Sequence, residues 1–209
     1  CRRYHIKVIE DAAESLGSYY HNQHTGTFAD IGTLSFNGNK TITSGGGGMI
    51  ITHDEFLAKR AKHLTTQARV PSSWEYIHDE IGYNYRLTNI NAALGLAQLE
   101  NIDMIINNKR ETASRYQDLF SKINDIGFFT EPNHCRSNYW LNVIFLKNRS
   151  ERDQFLQYSN DHGILTRPAW RLMNKLDMFK DGYTGNLENA EYLENRIVNI
   201  PSGFRNIRN

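Results

Sequence analysis

Much that would assign this chain quickly is missing from it. Only two cysteines occur, Cys1 and Cys135, which excludes a disulfide framework and predicts a reducing, cytoplasmic setting. No charge of one sign builds up: 24 basic against 23 acidic residues leave a formal charge of +1, so there is no overall electrostatic footprint for nucleic acid or an anionic membrane. No apolar run approaches the roughly 20 residues a membrane helix needs, and the first residues carry no secretory pattern. Internal repeats are absent, and the only low-complexity stretch is Gly45-Gly46-Gly47-Gly48. What is abundant is core material. The chain is 39% hydrophobic, with 11 tyrosines and 10 phenylalanines among 209 residues, enough for a substantial core in one domain or two small ones.

Chemistry concentrates in Ser35-Phe36-Asn37-Gly38-Asn39-Lys40, the glycine run after it, and Glu10-Asp11-Ala12-Ala13-Glu14 upstream. A lysine amine attacks carbonyls once its ammonium is partly desolvated or set near another cation, so Lys40 is a candidate Schiff-base lysine. Its commonest partner, pyridoxal phosphate, needs a carboxylate at the pyridine nitrogen so that the ring acts as an electron sink, and Asp11 is the candidate. Glycines admit a ring or phosphate without Cβ clashes, and Ser35 offers a phosphate-binding hydroxyl. Other readings stay open: Lys40 as an ordinary solvated lysine, Asp11 as the cap of a helix starting at Ala12, the glycines as a mobile turn. A P-loop is excluded, because Asn39 stands where that motif needs glycine directly before the lysine.

Patterning predicts a strand over residues 5–10 entering the Asp11 turn, then strands at 32–36 and 48–52. Asp54 caps a helix to about Leu64, with Phe56, Leu57, Ala61 and Leu64 on its apolar side. His21 and His24 have metal-like spacing without further ligands nearby. Residues 70–86, rich in aromatics and poor in periodicity, read as a functional loop. Thr88 opens a helix from Asn89 to about Ile106, apolar enough to be buried on several sides. An amphipathic segment at 109–123 leads into a smaller α+β domain, with a strand at 138–146, a helix at 151–162, a strand at 164–166 and a helix at 187–198. Arg167, held by Pro168 beside Trp170, suits a diphosphate clamp with the indole stacking on a base or sugar; a surface arginine beside a packed tryptophan fits equally.

The ordered motifs Ile9-Glu10-Asp11-Ala12-Ala13-Glu14-Ser15-Leu16-Gly17, Gly26-Thr27, Leu34 to Lys40, Gly47-Gly48-Met49-Ile50 and Gly82-Tyr83-Asn84-Tyr85-Arg86-Leu87 resemble the DegT/DnrJ/EryC1/StrS sugar aminotransferases. The resemblance covers nearly the whole chain. It implies an α/β architecture of PLP fold type I: a partial large domain over 1–108 and a small C-terminal α+β domain over 109–209. The family's chains are longer, so the resemblance implies the C-terminal part of such an enzyme. Ser35-Phe36-Asn37-Gly38-Asn39-Lys40, Ala61 to Ala68 and Trp74 to Leu94 are most similar to the subgroup acting on UDP-linked 4-keto-6-deoxy-N-acetylhexosamines, the bacillosamine and legionaminic acid precursors of bacterial surface glycans.

By the same resemblance, Lys40 holds pyridoxal phosphate and shuttles the proton, and Asp11 pairs with the pyridinium nitrogen. Glu14 stands near the 3′-oxygen, and Ser35 binds the phosphate. Asn84 reaches the cofactor phosphate of a neighbouring subunit, which implies a homodimer with shared sites. Asn37 departs from the histidine many relatives carry. The strand bearing Arg167 and Trp170 borders the sugar-nucleotide cleft, and glutamate is the implied amino donor. Replacement of the lysine by dehydrating relatives is excluded here by Lys40; a pyridoxal-phosphate-binding regulatory protein or an inactive truncated homologue without turnover is the alternative.

Overall fold

Gly32 explains the architecture of the first strands. A Cβ on it would lie 1.9 Å from the Gly26 carbonyl oxygen, so the turn before this strand packs backbone against backbone. In the computed structural model, which describes residues 1–205, the strands run β1 (Ile9–Asp11), β2 (Tyr19–Tyr20), β3 (Gln23–His24), β4 (Ile31–Ser35), β5 (Gly48–Ile51), β6 (Arg69–Val70), β7 (Ile77–His78), β8 (Gly127–Phe128), β9 (Cys135–Arg136), β10 (Asn142–Phe145), β11 (Arg167–Pro168) and β12 (Ile197–Ile200). The helices are α1 (Glu55–Thr65), α2 (Asn89–Leu99), α3 (Ile102–Phe120), α4 (Arg149–Asp161) and α5 (Glu188–Glu194). Contacts divide the chain into two units: Cys1–Ile106 with Pro132–Trp140, and Asn107–Glu131 with the chain from Leu141 onward. Residues 132–140 join the first unit because β9 pairs antiparallel with β2.

In the first unit β1 runs parallel to β4, with Asp11 opposite Thr33, and β5 returns antiparallel, with Gly48 opposite Ser35. Alternation along β4 sends Leu34, and then Phe36, into a core with Ala12 and Ile42. Leu16, Ile51, Ile102 and Ile105 pack against it. The Glu10 carboxylate fastens the turn before β4 by accepting the Gly26 N–H and, at 3.0 Å, the Phe28 N–H. Strand β1 is shorter than the 5–10 expectation and includes Asp11 itself.

Asp54 caps α1, its Oδ1 accepting from Phe56 N at 2.8 Å and Leu57 N at 3.1 Å. Phe56, expected on the apolar side, is 74% exposed. The 70–86 loop contains a short β6–β7 hairpin and is tied back to the end of α1 through Tyr83 N to Leu64 O at 2.7 Å and Tyr85 N to Thr65 O at 3.0 Å. The single helix expected to about Ile106 is two helices. Asn101 Nδ2 donates to Ala97 O at 2.8 Å, a local side-chain bond that competes with helix continuation, and α3 begins at the next residue. Burial of α2 is also corrected: it has no buried residue, and Ile90 is 85% exposed, because periodicity reports an apolar face and not what covers it.

The second unit is a sheet of order β11-β12-β10-β8 around Ile144, Leu146, Val198 and Ile200. Tyr116, Phe120, Phe128, Phe155 and Leu156 pack on this cluster. Two expectations fail here. Residues 164–166 form no strand, since the Thr166 hydroxyl is held by Ser159 at 2.5 Å and by Asn160 Nδ2 at 3.1 Å, at the end of α4; pairing begins at Arg167. The helix at 187–198 ends at Glu194, and residues 197–200 form a strand paired on both sides, because Val198 and Ile200 alternate into the core with the period of two that a sheet requires. After β12 the chain is strapped to α3: Lys109 Nζ donates to Ser202 O at 2.7 Å, and Asn108 both donates to Arg205 O and accepts from Arg205 N at 2.9 Å.

Candidate active site around Lys40

Parallel pairing of β1 and β4 puts their carboxyl ends side by side, so Asp11 and Ser35 leave the sheet at the same end. Ala12 N donates to Thr33 O at 2.9 Å and fixes this register. No helix starts at Ala12; Asp11 Oδ1 instead accepts from Ala13 N at 3.1 Å, which excludes the helix-cap reading, and the residue stays exposed. The turn that follows carries Glu14 to the loop between β4 and β5. There Lys40 Nζ pairs with Glu14 Oε1 and sits 4.8 Å from the centroid of the Trp140 ring. The Lys40 side chain is 13% exposed against 46% for Glu14, so the amine lies in a partly shielded position with a carboxylate at its outer side.

The loop itself is built by local bonds. Lys40 N donates to Asn37 O at 3.1 Å, and Asn37 N donates to Ser35 Oγ at 3.4 Å. Gly38 has open space where a Cβ would be, whereas Gly45 and Gly47 hold left-handed φ of +83° and +86° and turn the chain into β5. The glycine run is thus a formed turn, fastened by Ser44 Oγ to Gly46 O at 2.5 Å.

Two residues of this site escaped the sequence reading. Asn138 is 3% exposed, and its Nδ2 donates to Glu14 O at 2.8 Å, Leu16 O at 3.0 Å and Thr41 Oγ1 at 3.2 Å. Trp140 Nε1 donates to Asn39 O at 2.6 Å. Both come from a segment about a hundred positions downstream of Lys40, in a stretch that patterning assigns to a strand; no local periodicity marks them.

The remaining candidates lie elsewhere. Asn84 is exposed, and its backbone bridges to Thr66. Arg167 and Trp170 belong to the second unit and are both exposed, Arg167 in β11 opposite Asn199. His21 and His24 do not converge: His24 Nε2 accepts from Gly17 N at 2.8 Å, while His21 stacks on His134 with centroids 4.5 Å apart. Among the described residues one group, His63, Asp79 and Glu80, has ligand atoms close enough for a metal ion. The Arg60 guanidinium grips both Glu80 oxygens and, as the main cause, holds that carboxyl below its ordinary pKa. Clefts of about 890 Å³ and 610 Å³ lie along β5 and α1, and beside β1 and His53; neither includes Lys40.

Residues 1–205 match the model of the DegT/DnrJ/EryC1/StrS aminotransferase family. The chain belongs to that family. Relatives include the GDP-perosamine synthases of Escherichia coli O157:H7, 41% identical over 195 residues, and of Vibrio cholerae, 36% identical over 182 residues. The first covers 93% of this chain and 52% of the relative, the second 86% and 49%, so the chain spans about half the length of these curated relatives. Among solved structures, the aminotransferase TlmJ from Streptoalloteichus hindustanus superposes with a TM-score of 0.89 at 25% identity, over 97% of this chain and 55% of that one. The fold is therefore that of the DegT family, and pyridoxal phosphate is the cofactor this membership implies. The residues present suit it. A partly shielded amine, a carboxylate carrying one backbone N–H and a strand-end hydroxyl gather at one end of one strand pair, beside the open space at Gly38. Among the described residues no helix is long and apolar enough to cross a membrane.

Proposed function

We propose that this chain carries the lysine-bearing part of a pyridoxal-phosphate aminotransferase that moves an amino group from glutamate to C4 of a UDP-linked 4-keto-6-deoxy-N-acetylhexosamine. The observation that supports this reading is the gathering of Lys40, Glu14, Asp11 and Ser35 at the carboxyl ends of β1 and β4. Bound there, pyridoxal phosphate supplies an electron sink and a carrier for the amino group. Lys40 holds it covalently at rest; once freed, Nζ takes the proton from the donor α-carbon and later delivers one to C4 of the acceptor. Asp11 keeps the ring nitrogen protonated, Ser35 binds the phosphate, and Glu14, the resting partner of Lys40 Nζ, faces the 3′-oxygen.

Over the cycle the donor loses its amino group and becomes a 2-oxo acid, taking oxygen from water. The acceptor carbonyl oxygen leaves as water while C4 gains nitrogen and hydrogen, so no external oxidant is needed. Arg167 and Trp170 are assigned to the diphosphate and the base or sugar, and Asn84 to the cofactor phosphate of a second copy in a homodimer. A GDP-linked acceptor is the second reading, favoured by the two relatives named GDP-perosamine synthase.

The test is borohydride reduction of the intact protein after incubation with pyridoxal phosphate, with peptide mass mapping, followed by turnover with glutamate and UDP- or GDP-linked keto sugars. A pyridoxyl adduct on Lys40, absent from Lys40→Ala, together with an aminated UDP-sugar is the expected result. Amination of the GDP-sugar alone replaces the first acceptor with the second. No adduct on Lys40 overturns the aminotransferase mechanism.

A further inference from the structure

We propose that Asn138 and Trp140 are positioning residues that set how Lys40 is presented, so that the site is assembled from a third segment besides the two that carry Asp11 and Lys40. The inference rests on the aminotransferase reading of Lys40. The turn bearing Glu14 and the loop bearing Lys40 emerge from different strands, and their relative placement decides where the amine and the carboxylate meet. Asn138 spans them. Its amide nitrogen, with two hydrogens, faces three acceptors: the Glu14 and Leu16 carbonyls on the turn and the Thr41 hydroxyl next to Lys40.

Its other polar groups are also engaged. Asn138 N donates to Ser18 Oγ at 3.0 Å, and Asn138 Oδ1 accepts from Trp140 N at 2.8 Å, which passes the constraint on to the indole. Trp140 then holds the Asn39 carbonyl through Nε1 and lays its ring against the Lys40 ammonium. A buried amide with every partner in place rigidifies its surroundings, since each alternative arrangement strands a polar group away from water. The left-handed φ of +46° at the non-glycine residue Tyr139 fits a segment held at both ends by such bonds.

The experiment compares Asn138→Ala and Trp140→Phe with the parent in the intact protein. Trp140→Phe keeps an aromatic face over Lys40 and removes only the Nε1 donor, so it remains informative where Asn138→Ala fails to fold. Three quantities are read: cofactor affinity from absorbance titration, the rate of borohydride-trapped adduct formation on Lys40, and amide hydrogen exchange of peptides within 37–44 in the cofactor-free protein. Misplacement by about an ångström is enough to slow a reaction on the order of 100-fold, so adduct formation is expected to slow roughly 10- to 100-fold in Asn138→Ala and about 5-fold in Trp140→Phe, with affinity changed less than the rate. Exchange over 37–44 is expected to accelerate in both variants and not in Lys40→Ala. Parental adduct rates in both variants overturn the proposal, as does a loss of affinity that accounts for the whole loss of adduct. A parent without adduct refutes the aminotransferase reading, and the exchange result then shows separately whether the brace exists.

Discussion

Replacing Gly32 by alanine places a methyl group 1.9 Å from the Gly26 carbonyl oxygen and 2.8 Å from its carbon. The obstacle is backbone, so no rotamer change relieves it, and the 25–28 turn must retreat by more than an ångström to reach ordinary contact. That movement pulls the Gly26 and Phe28 N–H groups away from the Glu10 carboxylate. Two hydrogen bonds to a charged acceptor contribute roughly 3–5 kcal/mol together. Against this, removing a glycine restricts the unfolded chain and gains about 0.4–1 kcal/mol. The net expectation for Gly32→Ala is a loss of about 2–4 kcal/mol, read as a lower urea midpoint at unchanged slope. Gly38→Ala is the internal control: nothing lies within 4 Å of its Cβ position, and its midpoint is expected within about 0.5 kcal/mol of the parent. Equal midpoints for Gly32→Ala and Gly38→Ala would refute the reasoning, because they would show the turn yielding without cost.

Two further outcomes follow from the second unit. Asn108→Ala removes both bonds to the Arg205 backbone and leaves that N–H and C=O to find other partners; a loss of about 2–3 kcal/mol in urea unfolding is expected, and a change under about 0.5 kcal/mol would show that the strap contributes nothing. Burial works to raise the Glu194 pKa, but the Lys175 ammonium at 2.5 Å and the Leu172 N–H at 3.1 Å outweigh it and hold the carboxyl below its ordinary value. A carboxyl depressed in the folded state stabilises above its unfolded pKa and loses that contribution as pH falls through the folded one. Lys175→Met should therefore lower the thermal midpoint at pH 7 and converge with the parent in acid; a difference independent of pH would exclude the ion pair as its cause.

Lys40, Asp11, Glu14 and Ser35 were legible in the sequence because their chemistry depends on residue type and order near one loop, and β4, β5 and the Asp54 cap because their signals span a few residues. The break at Asn101 was not, since an apolar period continues through it while one side chain takes the Ala97 carbonyl. Val198 was assigned to a helix because a segment with both periods is decided by its neighbours, here the ladders of β10 and β11. Sequence alone thus determined the inventory of reactive groups and most of the short-range elements that present them. Tertiary structure decided which distant segment closes the site. Asn138 and Trp140 meet the Lys40 loop only because β9 pairs with β2, and hydrogen bonds between residues a hundred positions apart leave no periodic trace along the chain.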